Sequence, residues 1–198
     1  MKNYKEDFLF DNYEIIKRVI NKKAVIKIGD LEVTSGKIII GDFGSGISID
    51  HELAATFPIG KFPVYHSRIY EASVLIAFTD EEPVAWKAAS YNLQKKVYLK
   101  AFVVETGNFC FTDSDGLNAI INNVNSNLYV ESFWEDEIYS RCIQKNYKGY
   151  FNIPIANSQN NIIATDTESE EGIYKSYIGY NPTGNIVCLF TELGPVMF

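Results

Sequence analysis

Histidine is scarce in this chain: only two occur in 198 residues, His51 and His66. Their placement sets no two ligands, and no nucleophile with its base, on one element, so neither a histidine metal centre nor a Ser-His-Asp triad is expected. Cysteine is nearly as sparse. Cys110, Cys142 and Cys188 are widely spaced and odd in number, which excludes a complete disulfide framework and lacks zinc-ligand spacing. Reduced thiols in a cytoplasmic protein are the expectation. No stretch approaches ~20 apolar residues, and the start, Met1-Lys2-Asn3-Tyr4-Lys5-Glu6-Asp7, is polar. Neither a membrane span nor an export signal is expected. Positive charge is also in deficit, 18 basic against 25 acidic side chains for a net charge of -7. That balance opposes contact with phosphate backbones and anionic lipid, so neither nucleic acid nor membrane is an expected partner. A basic protein partner suits it.

What is present points to a globular β protein. Hydrophobic residues make up 46% of the chain and aromatics 14%, enough to bury a core, and aromatic side chains favour pleated strands. No repeat or linker divides the sequence, so a single domain over 1–198 is expected, with an N-terminal segment 1–23 packed on it. Phe8 to Ile20 approaches helical spacing. Ala24–Ile28 and Lys37–Ile40 are short β-branched runs separated by the turn pairs Gly29-Asp30 and Ser35-Gly36, a meander pattern. Gly41-Asp42-Phe43-Gly44-Ser45-Gly46 precedes no helix and reads as a loop, not a phosphate cradle. From Phe62 to Tyr91 strand signals flank Asp80-Glu81-Glu82-Pro83, predicting a hairpin. Strands are also predicted over Val97–Val104, Phe109–Phe111, Tyr150–Ile155, Ile162–Ala164, Ile173–Tyr180 and Ile186–Phe190, the last two joined by the turn Asn181-Pro182-Thr183-Gly184. Between them lies a helical insertion, 113–146. Asp113-Ser114-Asp115-Gly116 is a helix-entry signature, followed by Leu117, Ile120, Ile121 and Val124 at helical spacing, and Phe133–Ile143 is a second helical candidate. The fold class expected is α+β, mainly β: an antiparallel β-sandwich or curled sheet with a helical insertion.

Chemistry is thinly marked. His66 adjoins Ser67 and Arg68 and is suited to orienting an anion, or simply to sitting in a strand. Asp113 and Asp115 resemble part of a calcium loop, but the rest of the loop is missing and helix capping accounts for both. No metal and no cofactor is expected. Were a catalytic site present, Asp42, His66, Asp113 and Glu171 would be its candidates. The acidic run Glu168, Glu170, Glu171 and the tyrosines Tyr174, Tyr177 and Tyr180 are candidates for binding: an anionic patch for a basic partner beside rigid amphipathic rings.

Several of these segments together carry a family resemblance. Leu31 to Asp42, Pro58 to Val64, Pro83 to Trp86, Thr106 to Asp113, Gly149-Tyr150-Phe151, Glu171 to Asn181 and Gly184 to Leu189 occur in an order that resembles the bacterial domain-of-unknown-function 4241 family. The likeness runs through most of the chain from Leu31. The family usually has Gly-Asp-Gly before its tyrosine motif where this chain has Glu170-Glu171-Gly172, a change of one methylene if that carboxylate is chemical and of backbone demand if it shapes a turn. The family brings no assigned activity. The function expected is therefore that of a binding protein, of immunity or antitoxin type, with a small-ligand receptor or a hydrolase built on a carboxylate cluster as the alternative.

Overall fold

The computed structural model describes residues 25–44, 47–67, 73–91, 101–123, 149–167 and 171–192. The helical expectations over 8–20 and 133–143, the packed N-terminal segment 1–23, and Cys142, Glu168 and Glu170 lie outside these residues. Twelve strands and one α-helix are found within them: β1 (Val25–Val33), β2 (Ile38–Asp42), β3 (Gly60–Ser67), β4 (Ser73–Ala77), β5 (Ala85–Ala88), β6 (Phe102–Val104), β7 (Asn108–Asp113), α1 (Ser114–Asn123), β8 (Tyr150–Pro154), β9 (Asn161–Asp166), β10 (Gly172–Tyr174), β11 (Ser176–Tyr180) and β12 (Ile186–Glu192). The fold is α+β and mainly β, with every ladder antiparallel.

The strands form a six-stranded sheet in the order β1-β3-β4-β12-β11-β5, a four-stranded sheet β2-β7-β9-β8, and a two-stranded ribbon β10-β6. Alternation along each strand decides how these layers meet. Leu31, Val64, Ile76 and Leu189 of the large sheet share one buried cluster with Ile38, Ile40, Phe109, Phe111 and Ile163 of the small one, and Phe102, Val104 and Tyr174 of the ribbon complete it. The opposite face of the small sheet presents Ile39, Cys110, Ile162 and Ala164, on which α1 lays Leu117 and Ile120. Strand β2 is therefore covered on both faces, which explains the uninterrupted apolar run Ile38-Ile39-Ile40.

Two local expectations change. β1 and β2 form no meander, since they belong to different sheets; β1 runs through Gly29-Asp30 with an irregularity between Lys27 and Gly29. Only the second turn pair turns, with Gly36 at φ 75°, a left-handed conformation that glycine adopts without strain. Likewise β4 and β5, on either side of the Asp80–Pro83 turn, do not pair with each other. β12 and β11 lie between them. The β11–β12 hairpin closes as expected, with Gly184 N–H donating to Asn181 C=O at 3.0 Å. Gly179 in β11 has a packing reason: a Cβ there would come within 2.6 Å of Cys188 Sγ and 3.1 Å of the Trp86 indole.

Candidate functional site

Asp42 ends β2 and is 3% exposed. Its Oδ1 accepts from Gly44 N–H at 2.8 Å and from the Thr106 hydroxyl; its Oδ2 accepts from the N–H groups of Glu105 at 2.6 Å and Thr106 at 3.0 Å. A buried carboxylate persists only where donors replace its lost water, and here main-chain amides supply most of them. The result is a staple tying the bend after β2 to the bend between β6 and β7.

Asp113 ends β7 and is wholly buried. It accepts from the N–H groups of Thr34 and Ser35, each at 3.1 Å, from the Ser35 hydroxyl at 2.9 Å, from the Thr34 hydroxyl at 3.1 Å, and from Asp115 N–H at 2.9 Å. The last bond caps the first turn of α1. The others hold the tight turn between β1 and β2, so one carboxylate joins a helix start to a loop some eighty residues earlier in the chain. Thr34 Oγ1 also lies 3.0 Å from Asp115 Oδ2 and accepts from Asn160 Nδ2 at 3.0 Å. Two carboxylates thus converge on one hydroxyl. Next to this knot the Ser114 hydroxyl donates to Glu52 Oε2 at 2.6 Å.

The two aspartates do not meet. Register pairs Asp42 with Phe109 and Asp113 with Ile38, at opposite ends of the β2–β7 ladder, about 14 Å apart at ~3.4 Å per residue. His66 lies elsewhere, 2% exposed on β3, where it pairs with Ile26 of β1 and Val74 of β4. Glu171 is exposed just before β10. Among the described residues no group of three His, Cys, Asp or Glu side chains is placed to hold a metal ion.

The three tyrosines separate as well. Tyr174 is fully buried in the core, its ring tilted against Phe102 at 5.8 Å between centroids. Tyr177 is half-buried in the cluster with Trp86 and Phe190, its hydroxyl 3.5 Å from Glu192 Oε2. Burial, and then the neighbouring Glu192 charge, push its phenol up. Tyr180 packs at the edge of the inter-sheet core with Lys87 Nζ 4.9 Å from its ring centroid, a cation–π contact. Burial raises its phenol too.

Thr34, Ser35, Asn160 and Asn161 are polar centres that reading along the chain did not single out. The Ser-Gly-Lys turn was visible there, but its partners were not. Asn161 Nδ2 donates to Asp30 C=O at 2.7 Å and Asn161 Oδ1 accepts from Glu32 N–H at 2.9 Å, so its side chain satisfies the outer edge of β1 as a strand would. His51 was visible but was given no role. Its Nδ1 accepts from Ser48 N–H at 3.4 Å while Ser48 Oγ accepts from Asp50 N–H at 3.2 Å, a capping box on the short 3-10 helix Ile49–His51. Burial lowers the imidazole pKa, against an opposing pull from Asp50 and Asp42. The thiols of Cys110 and Cys188 are free and buried, with that of Cys188 pushed up to about 12 by burial, so both are poor nucleophiles.

No helix among the described residues is long and apolar enough to cross a membrane. No curated protein and no solved structure matches the chain. Residues 31–191 match the family described as "Protein of unknown function (DUF4241)", a span that takes in both aspartate knots, both sheets from Leu31 onward and the tyrosine motif, and the chain belongs to that family.

Proposed function

We propose that this protein is a binding protein for a basic protein partner, in the manner of an immunity or antitoxin-like protein, and that it performs no catalysis. The observation that supports this reading is the dispersal of Asp42, His66, Asp113 and Glu171. Two of the four are engaged by main-chain donors at opposite ends of one ladder, the third lies inside a sheet, and the fourth stands exposed on the surface. A general acid or base must reach its substrate's proton, and a nucleophile needs its base within hydrogen-bond distance. The net charge of -7 supports the choice of partner, because complementary charge speeds encounter and disfavours acidic competitors.

An affinity capture with the full chain from native lysate tests it. A stoichiometric basic protein is expected, retained at low salt and released as salt rises. Recovery of no stoichiometric protein across several salt conditions would count decisively against the reading.

One observation favours the alternative, a small-ligand receptor or hydrolase on a carboxylate cluster: Asp113 and Asp115 both approach the Thr34 hydroxyl. A thermal-shift screen with divalent metals and nucleotides separates the two. Stabilisation lost in Asp115→Asn would favour the alternative, because a ligand that binds only the folded state raises its apparent stability.

A further inference from the structure

The outer face of the six-stranded sheet is buried, yet no described element lies on it. Leu75, Cys188 and Phe190 belong to that side and are 3%, 3% and 1% exposed. With Val187 and the half-buried Val25, Tyr65, Trp86 and Tyr177 they form a cluster drawn wholly from the strands of this one sheet. The small sheet and the ribbon pack on the opposite, inner face, and α1 lies beyond the small sheet. Cross-strand register sets Tyr65, Leu75, Phe190 and Tyr177 in one row, and Val25, Ser67 and Ser73 in the row beside it. Neighbours within a sheet shield the flanks of a side chain that stands on it. Its outward end is hidden only by a second layer, so the burial of Leu75 and Phe190 requires one.

We propose that residues 8–20 of the chain itself are that layer, an amphipathic helix laid across the outer face of the large sheet with Ile16, Val19 and Ile20 turned onto Leu75 and Phe190. β1 begins at Val25, a member of the buried cluster, so the 24 residues ahead of it join the sheet at the rim of the patch. At ~100° per residue Phe8, Tyr13, Ile16, Val19 and Ile20 fall within an arc of about 140°, and Arg18 falls opposite them. The length fits too. A helix over 8–20 is about 20 Å long, and from β1 to β11 the patch crosses the strand order β1-β3-β4-β12-β11, about 19 Å at ~4.8 Å per strand. The other candidate segments start elsewhere. Residues 124–148 join α1 to β8, both in the layers of the small sheet, and 92–100 join Tyr91 of the shared core to the ribbon. Residues 193–198, Leu-Gly-Pro-Val-Met-Phe, are too few and too interrupted for a helix of that length.

The test is nuclear magnetic resonance on the full chain with methyl and aromatic groups labelled. Nuclear Overhauser contacts are expected from the methyls of Ile16, Val19 and Ile20 to the Leu75 methyls and the Phe190 ring. Contacts of Leu75 and Phe190 with residues 124–148 or 193–198 in their place, or no contact from 8–20, would overturn the proposal. A second measurement uses Ile16→Asp, which should speed amide exchange at Leu75 and Phe190 at least about tenfold, the fold-change that corresponds to losing one buried aliphatic side chain, while Arg18→Asp leaves it unchanged. Unchanged exchange in Ile16→Asp, or equal acceleration by both variants, would overturn the proposed face of the helix.

Discussion

Asp42 and Asp113 show how the setting of a carboxylate decides its role. Each was a candidate for chemistry on residue type alone, and each turns out to be ringed by amides from segments distant in sequence. Replacing Asp113 by Asn keeps the shape but turns one acceptor into a donor facing N–H and O–H groups of Thr34 and Ser35. We expect a loss of about 2–4 kcal/mol from an unsatisfied buried knot, read as a lower urea midpoint at unchanged slope; a change below about 0.5 kcal/mol, the range of ordinary surface substitutions, would contradict the staple. His51 supplies a pH dependence. Its folded pKa is lowered from 6.5, chiefly by burial, so the folded state favours the neutral ring. Its contribution is complete above pH 6.5 and is lost as pH falls through the lowered folded value. Thermal midpoints of the wild type should fall in that acid window more steeply than those of His51→Gln, and parallel curves would exclude the effect. The helix-entry signature was legible because it is local, with Asp113 two residues from the amide it caps. The remaining donors to Asp113 were not legible, because nothing in Thr34-Ser35 announces a partner 78 or 79 residues away.

Among the elements, the edge of β1 carries the clearest consequence. It borders the four-stranded sheet through side chains instead of a ladder, with Asn161 bonded to Asp30 and Glu32 and also to Asn152 Oδ1 at 2.7 Å. Asn160 Nδ2 adds a bond to Glu32 C=O at 3.1 Å. Asn161→Ala should leave the Glu32 amide and the Asp30 carbonyl without these partners at a cost of about 2–3 kcal/mol. Faster amide exchange at Glu32, with little change in the β11–β12 hairpin, is the expected signature. Equal acceleration in both places would show that Asn161 acts globally and not at this edge. The elements themselves were readable from alternation of apolar and polar side chains, and so was the β11–β12 turn, whose Asn-Pro-Thr-Gly residues specify it. The split of Ile173–Tyr180 into β10 and β11 was not readable. Ile173 and Ile178 look alike in sequence, yet one pairs with Val103 in the ribbon and the other with Leu189 in the large sheet.

At the scale of the whole molecule, both sheets and the ribbon depend on one core, and Phe109 sits where they meet, 5.9 Å from Phe102 and 5.2 Å from Phe111 between ring centroids. Phe109→Ala should cost about 3–5 kcal/mol, as deletion of a fully buried ring does. Because the cavity borders both layers, amide protection should drop together in β4 and β9. Protection retained in β4 while β9 opens would mean that the large sheet stands without the shared cluster. What the amino-acid sequence determined by itself was the β-rich class, the start of α1, the last hairpin and the acid excess. All of these follow from side-chain periodicity, from groups a few residues apart, or from composition, and none needs a distant partner. Tertiary structure alone decided that β4 and β5 would be parted by β12 and β11, that Asp42 and Asp113 would become staples at opposite ends of a ladder, and that Ile173 and Ile178 would join different sheets. Those outcomes turn on which apolar faces share an interior, and that choice is made among strands tens of residues apart by the joint burial of all of them.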